Sequence, residues 1–189
     1  MPHKPFLRIS RKLNSLRMAS LLRRGGVIAH YTSTLAGVAA LANRTGVTSI
    51  CRFKRRRGPF LLLADSSRTA RKYIRWYPKG LRQLIRRAWP GATTLVVPGR
   101  PGLPALCYRK GMLALRVDAD AACRRLAKAC GGVLLSSSLN RRGGMVCSPC
   151  YAVQMRWHRH LDGRAGMGAS GGQPSEMIRV DQRRLQKLR

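Results

Sequence analysis

VLLSSSLNRRGG, Val133 to Gly144, opens on three apolar residues behind a glycine pair and closes on hydroxyls, an amide and two guanidinium groups. Val133–Ser136 predicts a buried strand, because an apolar run without alternation leaves neither face for water. Such a strand needs a layer on each side. Its end carries Ser136, Ser137, Ser138 and Asn140. Donors and acceptors placed where a covered strand emerges mark the usual position of a site in an α/β domain.

The same grammar holds on both sides of this stretch. Val27–Tyr31, Phe60–Ala64, Thr93–Val97, Leu113–Val117 and Met177–Val180 predict strands. Ser66–Trp76 with Ser66 as cap, Leu81–Trp89, Ala119–Cys130 and Ala152–His160 have helical spacing. An N-terminal amphipathic helix is expected, with Ile9, Leu13, Leu16 and Leu21 on or near one face and Gly25 as its stop. A basic, acid-free N-terminus also fits an organellar transit peptide, but the helix is the preferred reading. Gly163–Ser175 is expected as a mobile loop by composition. Alternating elements in 189 residues predict a single α/β domain over 1–189, a mixed and largely covered sheet flanked by helices.

Charge narrows the function. The chain carries 38 Lys and Arg against 6 Asp and Glu, a formal +32, and no acidic residue precedes Asp65. Such a field draws polyanions. No run is long and apolar enough to span a bilayer, and no secretory core is present, so a reducing, cytoplasmic setting is expected. Cys51, Cys107, Cys123 and Cys130 read as small core residues. Cys147 and Cys150, with His158 and His160 after them, have half the spacing of a zinc site, and no second Cys pair completes it.

The sequence contains no Gly-x-x-x-x-Gly-Lys-Ser/Thr loop, no Gly-x-Gly-x-x-Gly turn and no nucleophile elbow. Any nucleotide must therefore be held by side chains at strand ends. Four such ends are polar: His30 to Thr34, Arg116, Ser136 to Asn140, and the Arg52 to Arg57 run before Phe60. Hydroxyls and amides beside fixed cations suit a phosphate-bearing ligand. Arg116, flanked by Leu115 and Val117, is expected to meet a carboxylate; the alternative is a structural ion pair with Asp118 or Asp120.

Taken in order, six segments resemble the YrdC/TsaC family, the threonylcarbamoyl-AMP synthases, in its short single-domain form. They are GVIAHYTSTLAGV (Gly26 to Val38), AWPGATTLVVPG (Ala88 to Gly99), LALRV (Leu113 to Val117), SSSLN (Ser136 to Asn140), SPC (Ser148 to Cys150) and SGGQPSEMIRV (Ser170 to Val180). The resemblance implies a YrdC-like twisted mixed sheet with a concave basic cavity at the strand ends. It implies a nucleotidyltransferase that joins L-threonine, bicarbonate and ATP into threonylcarbamoyl-adenylate and pyrophosphate, for modification of tRNA.

By resemblance, Thr32, Arg116, Ser136 and Ser175 would hold threonine. Lys54, Ser138, Asn140, Ser148 and Arg189 would hold ATP, with Arg52 and Lys54 as the catalytic cations. Magnesium would be held mainly by the phosphates. Downstream tRNA threonylcarbamoyl transfer proteins, and tRNA or double-stranded RNA, are the expected partners. The chain departs from the family pattern at Tyr31, Ser33 and Ala36. The competing expectation is an RNA-binding protein on the same fold with weakened catalysis.

Overall fold

The computed structural model describes residues 14–165, 168–180 and 185–189. Nine strands among these form one mixed sheet: β1 (Ile28–His30), β2 (Gly37–Leu41), β3 (Leu61–Ala64), β4 (Thr93–Pro98), β5 (Met112–Val117), β6 (Val133–Ser138), β7 (Gly163–Arg164), β8 (Glu176–Val180) and β9 (Leu185–Lys187). Their order is β7-β1-β2-β6-β3-β5-β4-β8-β9. β1 with β7, β3 with β5, and β4 with β8 are parallel; the other neighbours are antiparallel. β6 lies near the centre and extends two residues past the expected strand, so Ser137 and Ser138 are part of it.

Among the described residues six α-helices flank the sheet: α1 (Ser15–Arg23), α2 (Arg44–Lys54), α3 (Ser67–Arg71), α4 (Lys79–Ala88), α5 (Ala121–Ala129) and α6 (Tyr151–Arg156). One face packs Val38, Ala40, Leu62, Leu115 and Leu135 against Val47, Ile50 and Phe53 of α2 and Leu81 and Ile85 of α4. The other packs Ile28, Ala39 and Leu134 against Met18, Ala19 and Leu22 of α1 and Leu126 and Ala127 of α5. Strand side chains alternate, so His30, Gly37, Ser136, Ser138, Arg116 and Thr94 share that second face, where α1 and α5 leave off.

Several expectations are corrected. β2 and α2 were not readable: GVAAL is short and small, and RTGVTSICRFK contains Gly, Thr and Ser, which are weak helix formers. Tertiary packing overrides that preference, burying Val47, Ile50 and Phe53. The Asn43 side chain caps α2 by accepting from Gly46 N at 2.8 Å. Gly46 is obligatory, since a Cβ there would meet Leu41 O at 2.1 Å. In α1 the buried face is Met18, Ala19 and Leu22, which docks onto Leu126 and Ala127 of α5, while Leu16 is exposed and Leu21 half-buried. Ile9 and Leu13 lie outside the described residues.

Two helical expectations, Ser66–Trp76 and Ala152–His160, end early. Ile74 leaves α3 to bridge Gly99 beside β4, and α6 stops at Arg156. Gly163–Arg164, expected in a mobile loop, pairs with β1. Cys107 and Cys123 are buried and Cys51 and Cys130 half-buried, all as free thiols. Burial pushes the Cys107 thiol up to about 11. Among the described residues, no three His, Cys, Asp or Glu side chains gather to hold a metal, and no helix is long and apolar enough to cross a membrane.

Candidate active site

The β1–β2 loop folds over the uncovered part of the sheet face and is tied to β5. Arg116, nearly fully buried, donates from Nη1 to Thr34 Oγ1 at 2.7 Å and pairs through Nη2 with Asp118 Oδ2 at 2.6 Å. Asp118 Oδ1 accepts from Ser33 N at 2.8 Å and Asp120 N at 2.9 Å. Of the two expected ion-pair partners, Asp118 is the one used; Asp120 caps α5 instead, accepting from Cys123 N at 2.6 Å. Burial lowers the Arg116 pKa and Asp118 opposes that shift, so the pair is electrostatically coupled.

Thr32 sits inside this network. Its hydroxyl donates to Leu35 O at 2.7 Å, so Thr34 Oγ1, 3.1 Å away, supplies the proton between the two threonines. Thr32 Oγ1 also accepts from Thr34 N at 3.2 Å. Thr32 therefore shapes the loop, and its own hydrogen-bonding capacity is used there. Arg116 Nε and Ser33 Oγ are buried without a hydrogen-bond partner among the described residues. These are unmet donors of the kind a carboxylate or phosphate takes up.

A second pair lies on β1 and β6. His30 Nδ1 is 3.1 Å from Tyr31 O, and His30 Nε2 is 3.1 Å from Ser136 Oγ. A carbonyl only accepts, so the ring hydrogen is on Nδ1. Burial brings the His30 pKa down to about 4, so the ring is neutral at pH 7 and Nε2 accepts the Ser136 hydroxyl proton. Ser136 thus presents lone pairs, not its hydrogen, to whatever it meets. Gly37 lies between them in the sheet; a Cβ there would come within 2.9 Å of His30 Nε2 and 3.1 Å of Ser136 Oγ.

The His30 environment has a consequence for stability. In the unfolded chain an imidazole titrates near 6.5; in the fold, near 4. On acidification the unfolded chain takes up this proton first. The contribution is therefore present above about pH 6.5 and lost as pH falls toward 4. Urea unfolding is expected to show about 2–3 kcal/mol lost by pH 4.5 from this group. His30→Phe should flatten that pH dependence; an unchanged profile would contradict the neutral ring.

Lys54 reaches the end of β6 from α2, beneath the sheet. Its ammonium donates to Ser138 O at 2.7 Å, Asn140 O at 2.6 Å and Asn140 Oδ1 at 2.6 Å. Those are all three of its donors. Ser138 Oγ also donates to Asn140 Oδ1 at 2.8 Å, and Asn140 Nδ2 donates to Gly144 O at 2.7 Å. Burial and then Arg56 bring the Lys54 pKa down to about 8, so it stays cationic at neutral pH.

Of the expected residues, Thr32, Arg116, Ser136, Lys54, Ser138 and Asn140 therefore meet on one sheet face and its rim. Ser175 and Arg189 form a further group: Ser175 Oγ is 2.9 Å from Thr94 Oγ1, and Arg189 Nε donates to Ser175 O at 3.2 Å. Thr94 faces the same way as Arg116, by the antiparallel register of β4 with β5. Ser148 is exposed, and only its carbonyl is engaged, by Cys150 N at 2.8 Å.

Arg52 is not brought to the strand end. Residues two apart on a helix point away from each other, and Arg52 is exposed on α2 while Lys54 is buried. Arg56 stands there instead. Its Nη2 is 3.4 Å from Ser137 Oγ, and its guanidinium lies 4.8 Å from the Phe60 ring centroid. Sequence reading placed His30 and Thr34 in a polar strand end without giving either a role of its own, and it missed Thr94, which a period-two count along β4 could have found. A cleft of about 410 Å³ among Asp65, Ser66, Ala121, Arg124, Arg125 and Lys128 shares no residue with this group. Its size does not outweigh the chemistry gathered at the strand ends.

Comparison with known proteins bears on the family and the fold. The Sua5/YciO/YrdC family, described as "Telomere recombination", matches residues 20–189. A protein of Thiobacillus denitrificans named threonylcarbamoyl-AMP synthase is 32% identical over 152 residues, covering 77% of this chain and 81% of the relative. One of the same name from Neisseria gonorrhoeae is 26% identical over 181 residues, covering 92% and 94%. Among solved structures, P. abyssi Sua5 complexed with L-threonine superposes with a TM-score of 0.84 at 23% identity, over 93% of this chain and 53% of that one. E. coli YciO superposes at 0.81 and 20% identity, over 93% and 87%. The chain thus spans about half the length of the P. abyssi protein, and these structural likenesses speak to the fold. The matched 20–189 segment takes in every strand and every site residue described above, and on that ground the chain belongs to the Sua5/YciO/YrdC family.

Proposed function

We propose that this chain, acting as one domain, is a threonylcarbamoyl-AMP synthase. The threonine amine takes up the carbon of bicarbonate with loss of water. A carbamate oxygen then attacks the α-phosphorus of ATP, and pyrophosphate leaves. The product would feed tRNA modification through downstream transfer proteins, in the cytoplasm. The observation that carries the reading is the gathering of Arg116, Ser136, Ser138 and Asn140 on one sheet face in a chain 32% identical to a protein of that name.

The side chains suit the steps. The three unused N–H groups of Arg116, Nε among them, offer charge-assisted bonds to the threonine carboxylate. Ser136, its proton held by His30, offers lone pairs to the amino group. Lys54 fixes the Ser138–Asn140 turn against which the phosphates would lie, and Arg56 supplies charge beside it. Positioning and neutralisation of charge lower the barrier without a protein nucleophile. Asp118, the nearest carboxylate, is committed to Arg116. Magnesium would therefore enter held by the ATP phosphates rather than by protein carboxylates.

The test is pyrophosphate release from ATP that requires both threonine and bicarbonate and proceeds without tRNA. Release independent of threonine, or seen only with tRNA, would overturn the reading. A second reading has one observation in its favour: a +32 chain suits polyanions, and the Lys54 ammonium has no donor left for a phosphate. On that reading the protein is a catalytically weakened binder of tRNA or double-stranded RNA. RNA affinity that collapses with salt, with no pyrophosphate release, would favour it.

A further inference from the structure

A cleft of about 310 Å³ lies between the end of α2, the turn after Asn140 and the end of α6. Four guanidinium groups, from Arg55, Arg141, Arg156 and Arg159, line it with the imidazoles of His158 and His160. No carboxylate does. Trp157 completes the lining; it is buried and packs edge-on against Phe53 of α2 at 5.1 Å between centroids. Arg156 lies 5.9 Å from its centroid.

The charges crowd one another. Burial, then Arg55 and Arg156, push the Arg141 pKa down. Burial, then Arg141, Arg55, Arg159 and Arg52, push His160 down. Arg141 is half-buried, and its Nε is buried without a hydrogen-bond partner among the described residues. A surplus of arginine with no use would spread over convex surface, where water and salt screen it. Here it is gathered in a concavity, with no acid among the described lining residues and one buried donor open.

We propose that this cleft is a second anion site, distinct from the strand-end group, that seats adjacent phosphates of a ribonucleic acid backbone or of a free oligophosphate. Guanidinium groups bind phosphoryl oxygens through paired N–H bonds, and four of them in one cleft can serve more than one phosphate. Trp157 is packed against Phe53 and offers a base no open face. Recognition is therefore of charge and spacing, not of base identity. The RNA affinity considered above assigns no residues, so this site stands or falls separately from it and from the synthase reaction.

The experiment titrates the full chain with a 12-nucleotide single-stranded oligouridylate and with inorganic triphosphate, each at several salt concentrations. Arg156→Ser/Arg159→Ser removes two exposed cations from the cleft. Arg82→Ser/Arg86→Ser removes the same charge from the exposed side of α4. The cleft variant is expected to bind about tenfold or more weakly, with the oligonucleotide salt slope reduced by about 1.4, two contacts at about 0.7 each. The α4 variant should change affinity less than twofold. Loss with the oligonucleotide alone identifies a backbone site; loss with triphosphate as well identifies a general oligophosphate site. The proposal is overturned if neither probe binds, if the cleft variant binds like wild type, or if the α4 variant loses as much. Threonine-dependent pyrophosphate release by the cleft variant should equal that of wild type. A parallel fall would mean the cleft is part of the strand-end site and not a second one.

Discussion

Asp118→Ala is expected to destabilise the fold by about 3–5 kcal/mol, the cost of leaving a buried charge without its partner. Arg116 is the charge left behind, with 2% of its surface exposed. The same carboxylate holds the β1–β2 loop through Ser33 N and the start of α5 through Asp120 N, so the loss is structural on two sides. Arg116→Ala should be the more informative partner. On the proposed function, it removes a charge-assisted contact to threonine worth about 2–4 kcal/mol of binding, read by calorimetry. The decisive variant changes both, Arg116→Leu with Asp118→Leu. Replacing a buried ion pair by apolar residues is often neutral, so the urea midpoint should recover most of what Asp118→Ala loses, while threonine binding stays absent. Wild-type threonine affinity in Arg116→Ala would remove Arg116 from the site.

Lys54→Met should cost about 1–3 kcal/mol, since Asn140 O is orphaned while Ser138 O and Asn140 Oδ1 lose one donor each and keep Asn140 N and Ser138 Oγ. Ser138 O, Asn140 O and Asn140 Oδ1 converge on one point, where a tetrahedral ammonium fits. Lys54→Arg should rescue little, because a planar guanidinium cannot place three donors there. On the proposed function, the ATP KM should rise more than the threonine KM, because it is the Ser138–Asn140 turn that loosens. Equal effects on both substrates, with an unchanged urea midpoint, would contradict the turn-holding role.

β3, β5 and β6 were readable because burial on both faces forces continuous apolar runs. Caps were readable where a side chain closes a local ring, as Ser66 does with Thr69 N. α2 was not, because its stability comes from Phe53 and Ile50 packing under the sheet rather than from its own residues. Arg52 and Arg56 were likewise indistinguishable within a run of five cations. Which one reaches β6 depends on where α2 ends, and it ends at Lys54, with Arg55 turning the chain in the left-handed region at φ 51°.

Residue type and order alone therefore settled the α/β class and the polar strand ends, since patterning and strand-end position are local properties. Only the tertiary structure decided how those residues are used. Thr32 and Lys54 have the side chains of ligand-binding groups, yet their donors are spent on the loops they hold. His30 looked like one polar residue among several in a turn; in the fold it is a neutral ring that takes the Ser136 proton. The His30–Ser136 pairing joins residues 106 positions apart in the chain, and sequence order carries no record of which residues will be adjacent in space.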